Sequence, residues 1–137
     1  MESSILDLID RYIEAYESLV RLSKDMYISI INRDLDSLLQ ITNSQSKVLS
    51  QLFMLGEETD LRYEKEELES IISGLPLEEQ SKFRDKLRYL GDLVLELNEL
   101  VKINSRLLEN SIELLHRYVE FLKKNPHITS ILLENRG

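Results

Sequence analysis

From Phe83 to Leu122 the chain keeps one rhythm. Phe83, Leu87, Leu90, Val94, Leu97, Val101, Asn104, Leu108, Ser111, Leu115, Tyr118 and Leu122 follow one another in steps of four and three. That spacing averages 3.5 residues, the seam of a helix that packs lengthwise on another helix. Leu93, Leu100, Leu107, Leu114 and Phe121 add a second line seven residues apart beside it. Two adjacent lines make an apolar face wider than a two-stranded coiled coil uses. Pro76 precedes the repeat and Asn125-Pro126 follows it, so the pattern predicts one helix over about 77–124.

Two shorter segments share the same period. Ile5, Leu8, Tyr12, Ala15, Leu19, Leu22 and Met26 predict a helix over about 3–32, with Ser3 or Ser4 as its N-cap. Asp34 is a suitable cap for a second helix over about 34–62, whose seam is Leu38, Ile41, Gln45, Val48, Leu52 and Leu55. The polar run Thr42 to Ser46 makes its middle the least rigid part. The Glu-rich stretch 64–73 reads either as a short helix or as an extension of the second, and Gly74-Leu75-Pro76 ends it. The expected architecture is all-α: an elongated antiparallel bundle of three long helices over residues 1–124, followed by a tail over 125–137. Only 4 Gly and 2 Pro in 137 residues leave too few turn signals for a β-sandwich or an α/β fold.

Charge narrows the function classes. The formal net charge is −8, which disfavours phosphate-backbone and anionic-membrane partners and suits a protein partner with basic patches. Cysteine is absent, Met1-Glu2-Ser3-Ser4 lacks the basic start of a signal peptide, and no run of about 18 apolar residues occurs. These features lead to the expectation of a cytoplasmic protein without membrane insertion.

Chemistry finds little to work with. Glu113-Leu-Leu-His116 has the Glu-x-x-His spacing of a di-iron bundle, but that site needs a second copy and two further inward Glu. A histidine phosphotransfer bundle needs an exposed His beside a Lys and a small residue; His116 is followed by Arg117, Tyr118, Val119 and Glu120. No glycine-rich phosphate loop is present, and Glu64, Glu66, Glu67 and Glu69 read as a solvated helix face. The expectation is a non-enzyme that uses no metal or cofactor.

Length then points to binding. At about 1.5 Å per residue the first two helices are each roughly 40 Å long and the third roughly 70 Å. Two short helices side by side leave part of the third helix's apolar face uncovered, unless the segment 64–73 covers some of it, and an exposed strip of that size marks an interface. The candidate partner site is Val101, Asn104, Leu107, Leu108, Leu115 and Tyr118; Tyr118 and Phe121 read either as core residues or as aromatic anchors of a partner. Asn104 carries two readings: a buried residue that fixes register, or an exposed contact in a partner groove. A homodimer covering the same face, as in a self-assembling coiled-coil protein, is the alternative.

The sequence resembles the FlgN-type flagellar export chaperones over most of its length. The resemblance is carried first by Arg33-Asp34-Leu35-Asp36-Ser37-Leu38-Leu39-Gln40-Ile41, then Gln45-Ser46-Lys47-Val48-Leu49, Glu57, Glu58 and Arg62. It continues in Leu97-Asn98 and Ile103-Asn104-Ser105-Arg106-Leu107-Leu108, and in the tail Ser130-Ile131-Leu132-Leu133-Glu134-Asn135-Arg136-Gly137. The resemblance implies a chaperone that binds the C-terminal regions of hook–filament junction proteins, keeps them unassembled and delivers them to the flagellar type III export gate. Many such proteins carry a Tyr four residues before a Gly for gate docking, where this chain has Leu133. Ile131, Leu132 and Leu133 are the candidate docking residues.

Overall fold

A computed structural model describes the backbone of residues 2–59 and 65–127 and the side chains of 5–55 and 69–127. It contains α1 (Glu2–Asn32), α2 (Leu35–Thr59), α3 (Lys65–Ser73) and α4 (Leu77–Lys124). The all-α class and the three long helices are as the periodicity predicts, and of the stretch 64–73 the described residues Lys65–Ser73 form a short helix. Helix α1 starts at Glu2, so Ser3 and Ser4 fall inside it rather than before it.

The α1–α2 turn shows why the chain reverses at Asn32. Arg33 adopts φ 56°, and its N–H donates to Ile30 O at 3.2 Å while Asp34 N–H donates to Ser29 O at 2.9 Å. These are the two bonds of a Schellman motif, which close off the last carbonyls of α1. Asp34 then starts α2. Its carboxylate accepts from Ser37 N at 3.2 Å and from Ser37 Oγ at 2.8 Å. Those two bonds hold the Asp34 carboxyl below its ordinary pKa.

Direction follows from which residues meet. The α1–α2 groove pairs Asp25, Ile28 and Asn32 with Asp34, Ser37 and Ile41 at one end. At the other end it pairs Arg11, Glu14 and Ala15 with Val48, Leu52 and Leu55. The two helices are therefore antiparallel. Between α1 and α4, Asp10 meets Lys86 at 2.7 Å, Glu17 meets Tyr89 at 2.9 Å and Lys24 meets Glu96 at 3.0 Å. Both numbers rise together, so α1 and α4 run in the same sense, as the first and last legs of an up-down-up path do.

One expectation changes here. The two short helices do not lie side by side on the long one. Helix α1 sits in the middle, with α2 on one side and α4 on the other, and α2 makes no backbone approach to α4 among the described residues. The core shows the consequence. Ile9, Ile13, Val20, Ile72, Leu75, Phe83 and Leu93 form one buried cluster, supported by Tyr16, Leu87, Leu90, Leu97 and Leu100. On α1 this line (Ile9, Ile13, Tyr16, Val20, Ser23) lies beside the predicted seam and faces α4. Each apolar side chain fully buried there contributes roughly 1.5–3 kcal/mol. On α2 the predicted seam is the half-buried one, because only α1 covers it: Leu38, Ile41, Gln45, Val48, Leu52 and Leu55 are all intermediate in exposure.

Helix α3 closes the lower end. Ile72 and Leu75 enter the core, and Glu69 accepts from Arg84 at 3.3 Å. Gln80 reaches back to Leu75 O at 2.7 Å, capping carbonyls that the turn into α4 would leave bare. Acidic Glu78 and Glu79 occupy the first turn of α4, and basic Lys123 and Lys124 its last, both matching the helix dipole.

A candidate partner surface on the last helix

The extent of α1 decides where the surface begins. Residues joined across α1 and α4 lie 72 to 81 apart in sequence. Asn32 therefore comes level with α4 between Asn104 and Glu113. Beyond that level α4 continues to Lys124, roughly three to six turns. From Glu109 to Phe121 every residue is exposed.

The last residue of α4 that α1 buries is Asn104. It is 3% exposed, and its Nδ2 donates to Ser23 O at 3.0 Å. Its Oδ1 has no partner. Asn104 therefore lies inside, between α1 and α4, and not on the exposed surface above it. A buried amide tolerates only an alignment in which its donor finds a carbonyl, so it resists sliding of α4 along α1.

The remaining predicted site residues divide by height along α4. Leu107 and Leu108 are half-buried beside the end of α1. Leu115 is 61% exposed and Tyr118 53%. Val101 is also exposed, on a flank that α1 leaves open. Ile131, Leu132 and Leu133 lie outside the described residues. Asn98 and Asn110 are exposed.

The structure adds Ile112 and Val119, both exposed. They belong to a line spaced by seven that reads Gly91, Asn98 and Ser105 where α1 covers the helix and then Ile112 and Val119 where it does not. The apolar face thus gains a line at the level where α1 stops. Together with the lines of Leu114, Leu115 and Tyr118 it spans an arc of roughly 160° at 3.6 residues per turn, against about 100° for a helix that buries one face. The spacing of Ile112 and Val119 was visible in the sequence, but only the end of α1 gives it meaning.

The chemical candidates find no site here. Glu113 accepts from Arg117 at 2.7 Å, and His116 is exposed beside them. Among the described residues no group of three or more His, Cys, Asp or Glu is placed to hold a metal ion. Among them, too, no helix is long and apolar enough to cross a membrane. What this end of α4 offers is a helix surface that is apolar, wide and, among the described residues, unpartnered.

No curated protein and no solved structure is significantly similar to the chain. The FlgN protein family matches it over residues 1–130, and the chain therefore belongs to the FlgN family of flagellar export chaperones.

Proposed function

We propose that this chaperone works in the cytoplasm and holds the C-terminal helical regions of hook–filament junction proteins on the projecting end of α4. It keeps those regions from assembling prematurely and delivers them to the export gate. The observation that supports this reading is the widening of the exposed apolar face of α4 where α1 ends. Amphipathic client helices expose apolar stripes when unpaired and aggregate through them. A helix with surplus apolar face covers such a stripe by helix-in-groove packing. The client orders as it binds, which keeps affinity moderate and allows release. The contacts would be Leu107, Leu108, Leu115 and Tyr118, with Ile112 and Val119 beside them. Ile131, Leu132 and Leu133 in the tail would meet the gate, with an aliphatic side chain at 133 filling the pocket that an aromatic fills in relatives.

Co-purification with each of the two junction proteins of the same organism, followed by size exclusion with light scattering, tests the reading. A monomer that forms a one-to-one complex supports it. A tight dimer that ignores the junction proteins would instead assign the face to self-assembly. Leu115→Asp should abolish the complex while leaving helicity intact, because Leu115 is mostly solvent-exposed; retention of the complex would move the site elsewhere.

A further inference from the structure

We infer that the projecting end of α4 selects an amphipathic helical protein segment whose flanks carry net negative charge. This rests on the reading of that end as the client site, and it adds the charge of the client.

The argument lies in where the charges fall around the helix. One border of the apolar arc on the projecting turns carries Glu109 and Lys123; the other carries Arg117 and Lys124. All four are exposed. Lys102, Glu113 and Glu120 fall further round, away from the apolar face. The rim therefore holds three cations and one carboxylate, in a chain whose net charge is −8. Arg117 and Lys123 lean back towards Glu113 and Glu120, at 2.7 and 3.8 Å. Those pairs are one turn apart on an open helix and more than half exposed, so an arriving carboxylate competes with them readily.

A client helix laid on the apolar lines brings its own flanks over these rims. Glu or Asp there meets Arg117, Lys123 and Lys124, and Lys or Arg meets like charge. The same logic disfavours a second copy. Two such ends laid face to face set one basic rim against another. A basic rim also suits an anionic bilayer, but a bilayer also faces the rest of a chain whose net charge is −8, whereas a single helix meets only the rim. A protein helix with acidic flanks satisfies both the apolar arc and the rim.

The whole protein is titrated, by fluorescence anisotropy, against two synthetic amphipathic helices of about 20 residues. They share one Leu/Ile face and differ only in having Glu or Lys on the flanks. At about 50 mM salt the Glu-flanked helix should bind roughly tenfold more tightly, and the advantage should shrink towards equality near 500 mM. The double variant Lys123→Gln with Lys124→Gln should keep its helicity and lose the preference. Equal affinities at low salt, tighter binding of the Lys-flanked helix, or binding of neither would overturn the inference. So would preference for phosphatidylserine vesicles over the Glu-flanked helix, or dimerisation that Leu115→Asp abolishes. If both helices bind equally and Leu115→Asp abolishes both, charge selection falls and the client site stands. If Leu115→Asp leaves junction-protein capture intact, the client site itself falls.

Discussion

Asn104 offers the sharpest quantitative test of the fold. Replacing it with Leu keeps the number of side-chain heavy atoms and removes both polar ends. Three effects compete. The bond from Nδ2 to Ser23 O at 3.0 Å is lost, which costs about 1 kcal/mol net. Ser23 O stays inside α1, where the helix supplies its own amide partner. The unsatisfied Oδ1 disappears, which returns about 1–3 kcal/mol of desolvation. Two methyl groups at a site 3% exposed add apolar burial, offset in part by their larger volume. The expected result is stabilisation by about 1–2 kcal/mol, seen as a rise in the urea midpoint at unchanged slope. A loss of more than about 1 kcal/mol would refute the accounting, because it would mean that Oδ1 has a partner in solution. The same variant should register its helices less well. Amide exchange along α1 should become faster relative to global stability, since an all-apolar seam of this period accepts a shift that a buried amide resists.

Three further outcomes follow from particular residues. Gly91→Ala should raise stability by roughly 0.5–1 kcal/mol in a denaturant melt, because the site is mid-helix and a Cβ there meets nothing within 4 Å. Arg33→Gly should stabilise by about 0.5–1 kcal/mol, since φ 56° strains any residue with a Cβ; an unchanged or lower melting temperature would mean that the turn relaxes in solution. Tyr89 donates to Glu17 at 2.9 Å, and this bond raises its pKa above the ordinary value near 10. The phenol's contribution to stability is therefore present below that value and lost as pH rises through the folded pKa. Ultraviolet titration should show Tyr89 ionising late, and Glu17→Gln should bring it back.

The family reading and the fold lean on different parts of the chain. The family matches residues 1–130, so it spans α1 to α4 and says nothing by itself about which surface works. The surface comes from two helix lengths. Helix α4 has 48 residues and α1 has 31, and the two run side by side from their lower ends. Any change that lengthened α1 by three turns would cover the candidate site without touching a residue in it.

The sequence alone determined the three long helices, though not the start of α1 or the status of the stretch 64–73. A seam of 3.5-residue period with proline at both ends leaves a helix as the only way to bury it, and the boundaries at Asn32, Ser73 and Lys124 follow from local chemistry. It also determined that no catalytic constellation is spelled out and that α4 carries more apolar face than one neighbour can cover. The tertiary structure decided which helix lies in the middle, because the second line on α1, Ile9, Ile13, Val20 and Ser23, is equally compatible with facing α2 or α4. It decided that Asn104 is inside, since an Asn in a seam satisfies the pattern whether buried or exposed. It also decided where the open surface starts. Periodicity shows which side of a helix is apolar, but only the neighbour's end, at Asn32, shows how far along that side is covered.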